Sequence, residues 1–332
     1  MPAWPISPGV REFLRNPWLP VLTAAAGVAS LDRATDPGDL VYFVHRGEQL
    51  LSGGWQQTFA DPMLQSGPLQ LVVFGAVRNL PVLAFAVELG VAALLLFLLG
   101  RLGVGGWLRL ALGLVAVAAG LTHLAFADGH PAEAVVPFLW VLAGLWARED
   151  RVVAAGALVG VSAGLELWGV LGGVVLLLAP RLRRAAAGAC VEAVVVAAQL
   201  APFALAGDFR MFDRHWDVTT GTVLSLVVAP GTHFGWPLRL AQAALAVGAG
   251  AAVACKLRGG VHGVWAAPLA VVLVRVLLDP VSFGWYWLEA EALALVAAAL
   301  VLRELPSRFP AARLRRAAAS PHRAAAPPPV RS

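Results

Sequence analysis

The chain has 332 residues, 59% hydrophobic and 14% charged, against about 25% charged in an ordinary soluble domain. With mean hydropathy at +0.75, it reads as a polytopic membrane protein and not as a soluble domain with a tail anchor. The formal net charge of +5 marks orientation and not nucleic-acid binding, because basic and acidic residues occupy different loops. Arginine and lysine cluster at Arg11/Arg15, Arg101/Arg109, Arg148/Arg151, Arg181/Arg183/Arg184, Lys256/Arg258 and from Arg303 onward. The intervening loops hold Asp32, Asp36, Asp39, Asp61, Asp128, Asp208, Asp213, Asp217 and Asp279. All the basic clusters thread to the cytoplasm without contradiction, as the positive-inside rule requires, which makes both termini cytoplasmic.

A bilayer core needs roughly 20 apolar residues per helix, and the Ala/Leu/Val-rich windows here predict an all-α bundle of about ten spans. Strand-length segments of alternating hydrophobicity, the mark of a membrane β-barrel, are absent. The first span covers residues 18–31 and is short, so Arg15 is expected to snorkel below it. Gly27-Val28-Ala29 before Ser30 also fits a signal-peptide cleavage pattern, although Glu12 and several prolines make a poor leading region. A long polar outer loop follows, with a shallow helix over 68–80 leading into span two at 81–100. Span three (108–126), a short outer turn (127–132) and span four (133–147) come next. Residues 152–180, flanked by basic groups on both sides, predict a hairpin of two short helices turning near Glu166, about 20 Å along from Val152. Spans at 185–205, 238–255 and 261–278 and a last one ending near Leu302 complete the bundle, with a second outer loop at 207–237. Residues 303–332 are Ala-, Pro- and Arg-rich and predict a disordered basic cytoplasmic tail after a transmembrane domain over 1–302. Cys190 and Cys255 read as small apolar packing residues within helices.

Several short motifs point to a family. The first outer loop reads Asp39-Leu40-Val41-Tyr42-Phe43, with Leu50-Leu51-Ser52-Gly53 after it. Gly129-His130-Pro131-Ala132-Glu133 fills a later outer turn, and Ala155-Gly156-Ala157-Leu158-Val159-Gly160 lies on the helical hairpin. Over the chain up to about Pro180 this pattern resembles the GT-C-fold glycosyltransferases, especially the actinobacterial mannosyltransferases that use polyprenol-phosphate mannose. The resemblance implies a GT-C-like bundle with a helical first outer loop. It also implies an inverting transfer of sugar from a polyprenyl-phosphate donor to a lipid or glycan acceptor, without a metal or other cofactor.

By position, the resemblance makes Asp39 the catalytic base and Asp36 its runner-up; an attacking hydroxyl needs a carboxylate within about 3 Å. The same residues also read as a turn in which Asp39 caps the following helix. His130 and Glu133 fall where relatives line the cavity, and Pro131 with Glu133 equally reads as an ordinary helix start. Arg275, an ionisable group within a span, suits either a lipid phosphate or an ion pair with Glu289 or Glu291. Tyr42, Trp285 and Tyr286 are candidates to line a sugar or isoprenoid site, while an interfacial aromatic belt accounts for Trp285 and Tyr286 without a ligand. Glu166 stands where relatives place a lysine, reversing the charge. That departure supports a rival reading as a non-catalytic membrane partner in envelope assembly. Glu88, Glu192 and Arg275 would form the polar path of a lipid-glycan transporter, against which the lack of an internal repeat counts. Asp213, His215 and Asp217 are too irregularly spaced for a ligand set. The expected partners are thus the polyprenyl-phosphate donor, the acceptor and membrane lipids, with no nucleic acid.

Overall fold

The structure, a computed structural model, describes residues 16–32 and 37–305. Arg11, Arg15, Asp36 and the expected tail from 306 onward lie outside the described residues. The fold is all-α. Its helices are α1 (Trp18–Asp32), α2 (Leu40–Leu50), α3 (Pro68–Val77), α4 (Leu80–Arg101), α5 (Gly106–Ala118), α6 (Leu121–Ala127), α7 (Pro131–Arg148) and α8 (Val152–Leu165). A 3-10 helix (Leu167–Leu178), α9 (Leu182–Ala206), α10 (Trp236–Lys256), α11 (Gly263–Leu277) and α12 (Trp287–Glu304) follow. The strands among the described residues are a two-residue pair, β1 (Trp216–Asp217) and β2 (His233–Phe234), in the second long loop.

Five segments are long and apolar enough to cross a membrane: α4, the combined α5 and α6, α9, α10, and Gly284–Glu304. They mark the chain as a membrane protein. Five other apolar helices, α1, α3, α8, the 3-10 helix and α11, have only 10–17 residues, and an α-helix of that length spans about 15–25 Å, less than the hydrocarbon core. The stretch expected as one span over 108–126 is two helices, because Gly120 at φ +89° turns the backbone between α5 and α6.

Helix α7 is the axis of the bundle. It is buried on nearly every face, as a helix apolar all round must be when other helices enclose it. Pro131 occupies its first turn, where a missing N–H costs nothing. Trp140, fully buried, donates from Nε1 to the Gly169 carbonyl at 2.9 Å. That bond ties α7 to the hairpin formed by α8 and the 3-10 helix. The second arm of the hairpin was expected as an α-helix; at twelve residues it is instead 3-10, a form usually confined to three or four residues. Its burial shows why. Gly169, Gly172, Val175 and Leu178 are all buried, and a spacing of three places them in one row only when there are three residues per turn.

The two ends of the bundle differ chemically. At one end Arg101 pairs with Glu149 (3.1 Å) and Arg184 with Asp150 (2.9 Å). There Arg258 donates to the Ala179 carbonyl (2.8 Å) and Arg303 to that of Leu102 (2.5 Å). The two exposed ion pairs are worth little individually, but together with the half-buried Arg258 and Arg303 bonds they bring the basic loops to one face. Helix α12 therefore runs to Glu304, past the expected boundary at 302. Cys190 and Cys255 are exposed rather than packed, because α9 and α10 present much of their surface outward.

The opposite end carries the first outer loop. Leu40, Phe43, Val44 and Gly47 form the buried stripe of α2, with the spacing of an amphipathic helix. That stripe meets α3 where Gly47 and Gly75 lie backbone to backbone, and a Cβ on either glycine would overlap the other helix. Gly75→Leu is expected to lift α2 off α3 at a cost of about 1–3 kcal/mol or more. Hydrogen exchange over residues 37–66 should accelerate at least tenfold, since about 1.4 kcal/mol is a factor of ten. Unchanged protection would mean that this crossing does not hold the loop.

Candidate functional site

A cavity of about 900 Å³ opens at the loop end. Its wall takes Asp39, Tyr42 and Asp61 from the first loop, His130 and Glu133 from the start of α7, and Glu166 from the hairpin turn. The second long loop and α10 add Arg214, Trp216 and Arg239; α11 and the turn after it add Arg275, Trp285 and Tyr286. Asp39, Tyr42, His130, Glu133, Glu166, Arg275, Trp285 and Tyr286 all line this cavity, whereas Glu88 and Glu192 do not and Asp36 lies outside the described residues.

Asp39 occupies the N-cap position of α2, but its side chain accepts no capping hydrogen bond. Its Oδ2 lies 3.1 Å from His130 Nε2 instead, and the carboxylate remains 60% exposed. The hydrogen bond from His130 holds the Asp39 carboxyl below its ordinary value, against the opposing effect of burial. Gly129 makes the meeting possible. At φ +78° it packs onto the 37–40 turn, and a Cβ there would sit 2.5 Å from the Leu40 nitrogen and 2.6 Å from the Pro37 oxygen. His130 is further fixed by stacking on Trp285 (4.6 Å, 8° between planes), which stacks in turn on Phe283 (4.5 Å, 5°). Trp285 therefore belongs to the cavity wall and not to a lipid-facing belt; exposed Trp287 is the residue that fits a belt.

Tyr42 and Arg46 both donate to Asp61 Oδ2, at 2.9 and 2.5 Å. Burial, and then the bond to Asp61, pushes the Tyr42 phenol up to about 12. Burial raises Asp61, but the Met63 amide, Tyr42 and Arg46 outweigh it and leave the carboxyl below its ordinary value. This knot fixes the loop around Asp39.

Arg275 lies on the cavity floor. Its guanidinium pairs with Glu289 and lies 3.8 Å from Glu133, between the rings of Trp168 (4.5 Å) and Tyr286 (5.1 Å). Of its two expected partners only Glu289 reaches it; Glu291 is exposed, since positions two apart on a helix face nearly opposite ways. Glu133 thus both opens α7 and holds Arg275. Glu166 is buried on the wall, within range of the charges of Glu133 and Arg275.

Two further arginines complete the site. Arg214 lies flat over Trp216 at 4.0 Å, and its Nε is buried without a hydrogen-bond partner. Arg239, 5.9 Å over Phe234, feels the like charges of Arg214 and Arg275 and the opposite charge of Asp279. Among the described residues neither has a carboxylate oxygen within 4.0 Å. Stacked guanidiniums with free N–H edges form an anion site. The sequence carries one signal for Arg239, an ionisable group inside an apolar span. It carries none for Arg214, which shares a loop with Asp213, His215 and Asp217. Asp213 pairs instead with Arg210 (2.9 Å), while His215 (4.7 Å between rings) and Asp217 (3.6 Å) both lie against His233.

The cavity is therefore bipolar. A carboxylate–imidazole pair and two guanidiniums without carboxylate partners share its lining, while Leu167, Val170 and Leu171 of the 3-10 helix and Ala243 and Ala246 of α10 add apolar surface. His130→Ala removes the bond that lowers Asp39, so Asp39 should titrate closer to about 3.9, its free value. Because the folded value lies below the unfolded one, this bond contributes stability above the unfolded value, and the contribution is lost as pH falls through the folded one. Carbon-13 NMR of labelled aspartate, assigned with Asp39→Asn, would show the upward move; an unmoved titration would remove the hydrogen bond as its cause. No family model matches the chain, and neither a curated protein nor a solved structure matches it.

Proposed function

We propose that this protein is an inverting membrane glycosyltransferase of GT-C type. It moves a sugar, mannose foremost, from a polyprenyl-phosphate donor to a lipid or glycan acceptor at the outer face. The observation that carries the reading is one cavity whose lining combines Asp39, held by His130, with the guanidiniums of Arg214 and Arg239 and with apolar side chains. With the basic end cytoplasmic, as charge favours, the cavity opens on the outer leaflet.

In this reading the acceptor hydroxyl enters at the mouth and gives its proton to Asp39. Its oxygen attacks the anomeric carbon from the face opposite the phosphate. The carbon–oxygen bond to the phosphate breaks, and the electron pair leaves with it. Arg214 and Arg239 stabilise the departing lipid phosphate, as positioned charges stabilise developing anions. Arg275, engaged by Glu289 and Glu133, supports the floor and is not the principal phosphate ligand. His130 orients the base, and Trp285 offers a flat surface to the sugar. The two free arginines also supply the positive charge that Glu166 removes relative to a lysine. Should no transfer occur, that reversed charge favours a non-catalytic lipid-binding partner.

Transfer of radiolabelled mannose from polyprenyl-phosphate mannose to membrane lipids tests the reading. Asp39→Asn is expected to lower turnover by about 100-fold or more with unchanged protein in the membrane; full turnover would remove Asp39 as base. Arg239→Gln should weaken donor use by about tenfold, the loss of one charge-assisted bond of 1.5–3 kcal/mol. Unaltered donor dependence would remove the anion site from the reaction.

A further inference from the structure

A second polar cluster lies outside the cavity. Glu88, about 12 Å along α4 from Leu80, is 0% exposed, and among the described residues neither of its carboxyl oxygens has a hydrogen-bond partner. Asp32 at the end of α1 and Thr122 on α6 are the side chains that act on it. The Thr122 hydroxyl is likewise fully buried and makes no well-formed hydrogen bond among the described residues, although it lies near enough to Glu88 to act on it. Asp32, itself buried, accepts from or shares a proton with His123 Nδ1 at 2.5 Å, and His123 is 40% exposed. The charged residues of the neighbouring α5 and α7 (Arg109, Glu133 and Arg148) do not act on Glu88.

We infer that Asp32, Glu88 and His123 form an intramembrane proton-binding site, with His123 as its port to water. An ionised carboxylate buried without a donor or counter-ion is too costly to persist, and two adjacent carboxyls cannot both ionise cheaply. No group of three or more His, Cys, Asp or Glu side chains among the described residues is placed to hold a metal ion. The ligand that fits is a proton, carried on Glu88 and shared with Asp32, with the Thr122 hydroxyl free to bond either oxygen. A proton moves from water to the His123 ring, to Asp32 and to Glu88 with no other bond made or broken.

Infrared difference spectroscopy of the full-length protein in lipid nanodiscs at neutral pH tests this. Wild type minus Glu88→Gln should show one carboxylic-acid C=O band, shifted in heavy water. Asp32→Asn should move that band, and His123→Phe should slow its deuterium shift. No Glu88-dependent acid band, whether because the group is ionised or because it holds sodium, would overturn the site. A band unmoved by Asp32→Asn would overturn the sharing, and an unslowed shift would remove His123 as port. If Glu88→Gln does not fold, the Asp32→Asn comparison alone decides, since a wild-type acid band that it leaves unmoved contradicts the proposal.

Discussion

The arrangement of the cavity depends on one buried guanidinium. Arg275 joins α11 to α12 through Glu289 and to α7 through Glu133, with the rings of Trp168 and Tyr286 at 4.5 and 5.1 Å. Removing one partner of such a buried pair costs about 3–5 kcal/mol, because the other charge is left stranded. The geometry above it follows. His130 begins α7 and Trp285 precedes α12, so fixing those two helices stacks the rings. The stacked imidazole then meets Asp39 from across 91 positions of sequence. The position of the Asp39 carboxylate is thus tied to α7 and α12 as well as to its own loop.

The same interaction divides the labour among the arginines. A guanidinium committed to two glutamates has little left for a phosphate, whereas Arg214 and Arg239 are held over aromatic rings with their N–H edges free. Structural and ligand-binding charge are thereby separated within one cavity. The loop end carries the site, and the basic end, laced by exposed ion pairs, carries the signal for orientation. A second polar cluster at Asp32, Glu88 and His123 does not join the cavity lining, so the two polar sites share no residue.

Much of the architecture was legible in the chain. Hydrophobic length and flanking charge locate the helices to within a few residues, and the run at 152–180, too long for one span, correctly implies a hairpin turning at Glu166. The 3-10 winding of its second arm was not legible as such, although the buried Gly169, Gly172, Val175 and Leu178 carry the period of three once burial is known. Composition counts a cysteine as a packing residue but cannot say which face of α9 or α10 it occupies. For the site, residue chemistry nominated Asp39, His130, Glu133, Glu166 and Arg275, yet nothing local says that Asp39 meets an imidazole instead of capping its helix. Nor does it choose between Glu289 and Glu291, which a helix turns in different directions. Arg214 was hidden because a loop arginine beside aspartates looks like solvated surface.

The most direct test of the central claim, that this cavity receives a lipid phosphate, needs no turnover. A polyprenyl phosphate carrying a photoreactive group on its first isoprene units can be cross-linked to the reconstituted protein and the labelled peptides mapped. The account predicts labelling on the 3-10 helix near Val170 and Leu171 and on α10 near Ala243 and Ala246, suppressed by Arg239→Gln. Labelling spread over the exposed faces of α9 or α5, and indifferent to Arg239, would contradict it.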